Sequence, residues 1–342
     1  KNLGDSVVTT LDVSLQKRAY EALGQNRGAV VALNPKTGAV LAMVSKPDFN
    51  PNTVAQDWEY LTGDASNSSL LNRATQGAYP PGSVFKIVTA LSYLRSEGTL
   101  DGFSYECQGG ITVDDHTITC YGGEVHGTEN FRSAFAESCN SAFARIGLNL
   151  GGKKLTETAE SLLFNNKLPV SINYAKSKFE LGDHPGNPLL MQTSIGQGNT
   201  LVSPMHMALI VSAIANDGVL MKPYYMEQVQ NVNGDVVKSY EPSEYKSLMT
   251  KEEANTLKEL MEAVVTEGTA SSLSTENYSA GGKTGSAEYY GSDGSIQTHS
   301  WFVGFAGMEE PEIVVAVIAE GAGTGSSVAV PIAHEIFNEY YY

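Results

Sequence analysis

Three short patterns in this chain place nucleophilic and cationic side chains at spacings that could do chemistry, and each occurs more than once. Ser-x-x-Lys stands at Ser14–Lys17, Ser83–Lys86 and Ser243–Lys246, Lys-Thr-Gly at Lys36–Gly38 and Lys283–Gly285, and Ser-x-Asn at Ser138–Asn140 and Ser171–Asn173. A serine hydroxyl is a poor nucleophile until a base takes its proton, and a lysine can be that base only if burial or a neighbouring cation lowers its pKa. Residues three apart on a helix share a face, so Ser-x-x-Lys can bring the two groups together.

Context separates the copies. Ser83 follows Pro80-Pro81-Gly82 and opens an apolar helical pattern, with Phe85, Ile87 and Val88 around Lys86. Its hydroxyl and amide then sit at a helix N-terminus, where free N–H groups favour developing negative charge. Ser14 and Ser243 lie among polar and charged neighbours and read as solvated. Taken alone, Ser83 also reads as a helix cap. Lys36-Thr37-Gly38 belongs to a turn, whereas Lys283-Thr284-Gly285 follows Gly281-Gly282 and runs into a strand-like segment. There Thr284 and Ser286 would share one face, and a lysine beside two hydroxyls can receive a carboxylate. The bland alternative is a glycine bulge with a solvent-facing lysine. Ser138-Cys139-Asn140 follows a helix-like stretch and precedes Ala142-Phe143, and it is favoured over Ser171-Ile172-Asn173, which resembles a surface turn.

The elements that must hold these residues are legible in outline. Gly28 to Ser45 reads as a β-hairpin around Asn34-Pro35-Lys36-Thr37-Gly38. Residues 46–82 form a long irregular connection. Val84, Ile87, Val88, Leu91 and Leu94 recur at helical spacing, and Gly98 closes that helix. Residues 101–200 mix short strands and helices. Helices are expected over Pro204–Ala215 and Thr250–Thr266, strands over Gly281–Tyr290, Trp301–Met308 and Ile313–Glu320, and a closing helix over Pro331–Tyr341. The order of strands, helical middle and strands again predicts an α+β arrangement: one sheet built from both chain ends with a helical insertion.

Composition narrows the function classes. The 342 residues, 42% hydrophobic and 18% charged, suffice for a large globular core. A net charge of −16, from 38 acids against 22 bases, argues against nucleic acid as a partner. The longest strongly apolar run, Ile313–Ala319, is too short for a membrane helix. The chain opens on Lys1 without a signal-peptide pattern, and an upstream segment is expected. Three cysteines and six scattered histidines show no metal-ligand spacing, so no metal site is expected. Cys107 and Cys120 flank an apparent hairpin turning at Asp114-Asp115. They would lie close enough across it for a disulfide in an extracellular setting, leaving Cys139 free.

Read in order, Ser83–Lys86, Ser138–Asn140 and Lys283–Gly285 resemble the motif set of penicillin-binding proteins and serine β-lactamases. The longer strings resemble the penicillin-binding transpeptidases: Asn72-Arg73-Ala74, Tyr79-Pro80-Pro81-Gly82-Ser83-Val84-Phe85-Lys86, Ile195-Gly196-Gln197-Gly198, Val202-Ser203-Pro204, Gly282-Lys283-Thr284-Gly285 and Trp301-Phe302-Val303-Gly304-Phe305-Ala306. Thr9-Thr10-Leu11-Asp12 with Leu15-Gln16 is similar to the entry of that domain. The likeness spans nearly the whole chain, so residues 1–342 are expected to be one transpeptidase domain. The nearest group is the monofunctional class B enzymes, which carry a membrane anchor and a pedestal domain upstream. Ser286 departs from the commoner Thr but keeps the hydroxyl.

The resemblance implies an antiparallel sheet flanked by helices, with a mostly helical subdomain and the active site in the cleft between them. It implies that Ser83 attacks a D-Ala-D-Ala stem peptide with Lys86 as base, and that Ser138 relays a proton to the leaving amine. Asn140 would hold the peptide amide, and Lys283, Thr284, Gly285 and Ser286 the terminal carboxylate. The N–H groups of Ser83 and Ser286 would form the oxyanion hole. A second stem peptide's amine would resolve the acyl-enzyme. It further implies covalent acylation by β-lactam antibiotics, no cofactor, other cell-wall synthesis proteins as partners, and a place on the outer face of the bacterial membrane. A hydrolase on the same scaffold and a non-catalytic β-lactam sensor are the rival readings. The Glu-x-x-Leu-Asn string of some β-lactamases is absent from the sequence.

Overall fold

A computed structural model describes residues 4–63, 68–182, 184–275, 277–291 and 293–342. Its centre is a five-stranded antiparallel sheet assembled from both ends of the chain, in the spatial order Ala280–Tyr290, Ile296–Ala306, Ile313–Ala319, Gly28–Leu33, Val40–Lys46. Gly28–Leu33 and Ile313–Ala319 are buried along their whole length, which matches their unbroken apolar runs and requires cover on both faces. The helices Val13–Leu23 and Val330–Tyr341 pack on each other and on the sheet. Pro204–Ala215, buried at every position, and Lys251–Thr266 form a second helical layer against it.

The hairpin turn forms as its residues dictate. The Asn34 side chain accepts from the amides of Lys36 and Thr37, and Gly38 adopts φ +84°, where an added Cβ would lie 2.3 Å from the Lys222 carbonyl oxygen. Lys36 is exposed there, as the turn reading expects. Thr250 and Glu253 cap the helix Lys251–Thr266 reciprocally.

In sequence, between the strands contributed by the two chain ends, lies a helical region containing Lys86–Glu97, Phe131–Ala136, Asn140–Ser161 and Asn187–Ser194. Two small strand pairs border it, Tyr105–Cys107 with Gly127–Glu129, and Gly110–Val113 with His116–Thr119. The second is the expected hairpin, and Asp114 and Asp115 both take positive φ at its turn. The structure also has a three-stranded sheet of Ser6–Thr9, Met226–Gln230 and Val236–Ser239, which polar, short-period sequence did not announce.

Two local expectations change. The segment at Ser83 begins as a 3₁₀ turn, Gly82–Phe85, and the α-helix starts only at Lys86. Gly82 at φ +55° and the N–H lost at Pro81 leave a tight turn that cannot open with full α geometry. Cys107 and Cys120 do come together, but their sulfurs are 3.7 Å apart and both remain thiols, whereas a disulfide needs about 2.05 Å.

Candidate active site

The Ser83 turn is clamped by backbone on both sides. The Gly82 amide donates to the Gly196 carbonyl at 2.9 Å, and Tyr79 pairs with Val202 in both directions at 3.0 and 2.8 Å. The indole N–H of Trp301 donates to the Pro80 carbonyl at 3.1 Å. Glycines permit this approach: a Cβ on Gly196 would lie 1.7 Å from the Gly82 oxygen, and one on Gly285 3.1 Å from the Pro81 oxygen. The strand bearing Lys283 is thus laid directly against the serine turn.

Ser83 is half-buried on the wall of a cleft of about 740 Å³, which Ser138, Asn140, Thr284, Gly285 and Ser286 also line. Beneath it lie two fully buried lysines. Lys86 Nζ donates to the Ser138 carbonyl at 2.7 Å, to the Ser138 hydroxyl at 3.1 Å and to the Asn140 Oδ1 at 2.7 Å. Lys283 Nζ donates to the same Ser138 hydroxyl at 2.9 Å and to the Thr284 carbonyl at 3.2 Å. Ser138 can present both its carbonyl and its hydroxyl because it sits at φ +57° between two helices.

Burial pushes the Lys86 amine down to about 7, with nearby thiol and carboxyl groups partly opposing it. Lys283 is also held well below the usual lysine range, by burial first and by the charge of Lys86 second. Three acceptors around Lys86 match the three protons of an ammonium. When one proton leaves, the two carbonyl oxygens still hold the amine, and its lone pair becomes available to a hydroxyl. This is the electronic state a general base requires.

The strand face beyond Lys283 is lined with hydroxyls. Thr284 Oγ1 is 2.6 Å from Thr269 Oγ1, and Ser286 Oγ accepts from the Gly325 amide at 3.2 Å. Thr269 and Gly325 belong to none of the three short motifs, and no local pattern singled them out. The rejected motif copies are remote in character: Ser14, Lys17, Ser171, Asn173, Ser243 and Lys246 are all exposed. Glu137 and Glu288 line the cleft as exposed carboxylates, and neither is bonded to Ser83 or Lys86 among the described residues.

One grouping escaped sequence reasoning. Cys107, Cys120, His126 and Cys139 converge just behind Ser138, their donor atoms all within 4.8 Å of one another. They come from four separate segments, so no local spacing announced them.

The family profile of the penicillin binding protein transpeptidase domain matches residues 28–338. The chain belongs to that family. Peptidoglycan D,D-transpeptidase PbpA of Mycolicibacterium smegmatis is 32% identical over an alignment of 352 positions, covering 96% of this chain and 71% of that protein. Among solved structures, the D,D-transpeptidase domain of a peptidoglycan glycosyltransferase from Eggerthella lenta superposes with a TM-score of 0.91 at 28% identity, over 98% of this chain and 83% of that one. Penicillin-binding protein A of M. tuberculosis, solved as a penicillin G acyl-enzyme complex, gives a TM-score of 0.88 at 30% identity, over 99% of this chain and 81% of that one. The penicillin-binding transpeptidase fold expected from the motifs is therefore the fold of this chain.

Proposed function

We propose that this penicillin-binding domain is a serine D,D-transpeptidase that cross-links peptidoglycan stem peptides through a Ser83 acyl-enzyme. The observation that carries this reading is the convergence of two buried, depressed lysines on Ser138 beside the half-buried Ser83. Neutral Lys86 takes the Ser83 proton as its Oγ attacks the carbonyl carbon of the penultimate D-Ala. The N–H groups of Ser83 and Ser286 receive the oxyanion. Collapse breaks the peptide bond, and the departing D-Ala amine takes its proton through Ser138. The amine of a second stem peptide then attacks the ester, the new amide forms, and Ser83 leaves with its proton restored.

Substrate binding uses the hydroxyl-lined strand. The terminal carboxylate lies on Lys283, Thr284 and Ser286, and Gly285 between them lets the strand close on the serine turn. That anion offsets the burial that depresses Lys283. Asn140 offers the peptide its second amide proton, the first being given to the Thr119 carbonyl at 3.0 Å. A β-lactam mimics the acyl-D-Ala-D-Ala end and is attacked by the same serine. Upstream, this reading places a membrane anchor and a pedestal, with the domain on the outer face of the membrane and cell-wall synthesis proteins beside it. No helix among the described residues is long and apolar enough to cross a membrane.

The test is mass spectrometry after mixing with a modest excess of penicillin. One lasting adduct per chain, on the peptide containing Ser83 and absent from Ser83→Ala but not from Ser14→Ala or Ser243→Ala, is expected. Rapid loss of the whole drug pool without an adduct would make the chain a β-lactamase.

A further inference from the structure

The four donors behind Ser138 have the geometry of a closed metal site. A tetrahedral ion with metal–sulfur bonds of about 2.3 Å and a metal–nitrogen bond of about 2.0 Å needs sulfur–sulfur edges of about 3.8 Å and sulfur–nitrogen edges of about 3.5 Å. The Cys107–Cys120 and Cys120–Cys139 sulfurs are 3.7 and 3.8 Å apart, and Cys107 Sγ lies 3.3 Å from His126 Nδ1. The two sulfur–sulfur separations are too long for disulfides, these three edges match a tetrahedron, and the remaining donor pairs, all within 4.8 Å, need to close by no more than about 1 Å around an ion.

The surroundings are those of metal ligands. Sulfur-directed N–H groups come from Gly109 to Cys107 and from Ala142 to Cys139, each at 3.4 Å. The Ser141 hydroxyl donates to Cys107 at 3.2 Å and lies 3.5 and 3.4 Å from the sulfurs of Cys120 and Cys139. His126 turns Nδ1 to the cluster, and its Nε2 stands 3.7 Å from a Glu124 carboxylate oxygen. A carboxylate on the far ring nitrogen is how metal-bound histidines are oriented. Beside the thiols lies the buried Glu129 carboxylate, which interacts with the Cys139 thiol and has no oxygen or nitrogen donor on either of its oxygens among the described residues.

We infer that Cys107, Cys120, His126 and Cys139 bind one thiophilic divalent cation, zinc by its donor chemistry, in a structural site with no open position. Three soft sulfurs and an imidazole select zinc over magnesium or calcium, which take oxygen donors. The ion fastens the catalytic segment from behind. Cys139 stands between Ser138 and Asn140 and caps the helix Asn140–Ser161, accepting from the Ala142 amide. Asn140 also donates to the carbonyl of Thr119, the neighbour of Cys120. The site therefore ties the hairpin Gly110–Thr119 to the two residues that hold Lys86.

The experiment is metal analysis of the chain purified without chelators, followed by exchange to cobalt(II). About one zinc per chain is expected, and cobalt should give thiolate charge-transfer bands together with the visible bands of a tetrahedral ion. Cys107→Ser and His126→Ala should lose or alter those bands, while Ser83→Ala keeps them. Should the ligand variants fail to fold, thiol labelling of the unaltered protein decides. Zinc-loaded thiols should react much more slowly than the same thiols after chelation. Equal labelling rates, a folded protein that takes up neither zinc nor cobalt, or a Cys107–Cys120 disulfide in peptide mapping would each overturn the site. None of these readouts uses transpeptidation, so they stand apart from the assignment of Ser83.

Discussion

Lys86 Nζ stands 2.7 Å from the side-chain oxygen of Asn140, whose nitrogen is in turn fixed on the Thr119 carbonyl. The amide is thereby locked in one orientation and presents a neutral acceptor to the amine. Asn140→Asp would replace it with a carboxylate at the same place, favouring the ammonium and raising the Lys86 pKa by about 1–3 units. The alkaline shift should appear in the pH profile of β-lactam acylation, and an unmoved profile would exclude Lys86 as the titrating base.

In the unaltered protein the acylation rate should rise with pH through about 7 and then level, because only the neutral amine can take the Ser83 proton. The stability contribution has the same sign. An unfolded lysine holds its proton to about 10.4, so between these values the unfolded chain binds more protons and stability rises with pH. Comparing denaturation of the parent and Lys86→Met across that window isolates this contribution.

Lys283→Ala should slow acylation by roughly 10²-fold or more, the scale seen when a positioned charge or donor is removed from an acyl-transfer site. Lys36→Ala should change it by less than about twofold. Among the described residues the Lys36 amine reaches only Glu310, at 3.1 Å on the surface, and such pairs contribute about 0–1 kcal/mol. Second-order rate constants of penicillin labelling separate the two.

Glu320 gathers Arg73 at 2.7 Å, Arg27 at 3.3 Å and the Tyr79 hydroxyl at 2.7 Å, tying the approach to the serine turn to the end of a central strand. Burial opposes its ionisation, but the Tyr79 hydroxyl and the two guanidiniums outweigh it and hold the carboxyl below its usual range. Its stabilisation is present above the unfolded carboxylate pKa and is lost as pH falls through the lower folded value. Glu320→Gln leaves the buried Arg73 without a counter-charge and should destabilise by about 3 kcal/mol at neutral pH, with a flatter acid limb in urea titrations.

Gly196→Ala should be severe for a steric reason. The residue holds φ +82°, and its new methyl would overlap the Gly82 carbonyl. Destabilisation of more than about 1 kcal/mol is expected by chemical denaturation. Penicillin labelling should fall further than the stability loss alone explains, because the displaced backbone carries Ser83.

Much of this architecture was readable in the residues. Pro204–Ala215 forms the helix its apolar run announced, and the Asn34–Gly38 turn forms where turn chemistry put it. The favoured Ser-x-x-Lys and Lys-Thr-Gly copies, Ser83–Lys86 in its apolar helix and Lys283–Gly285 in its glycine-led strand, carry fully buried lysines, whereas Lys17, Lys36 and Lys246 of the other copies are exposed. What stayed hidden depends on long-range approach. The 3₁₀ turn at Ser83 reflects packing of Gly82 on Gly196, Thr269 reaches Thr284 from a separate loop, and the thiol–imidazole cluster joins four segments. Periodicity within a window carries no information about such meetings.

Every residue from Lys86 to Ser92 is buried, so the helix that carries the proposed base, Lys86, is also part of the protein's core. The cleft's outer rim is different in kind: Glu288, Tyr290 and Ile296 line it while exposed to solvent. Under antibiotic selection, the two regions offer unequal routes to resistance. A substitution in the floor alters drug reactivity only by disturbing the core, and it impairs the native reaction as well. Rim substitutions can discriminate between a bulky drug side chain and a stem peptide while the fold stays intact, so inherited tolerance should accumulate at the rim.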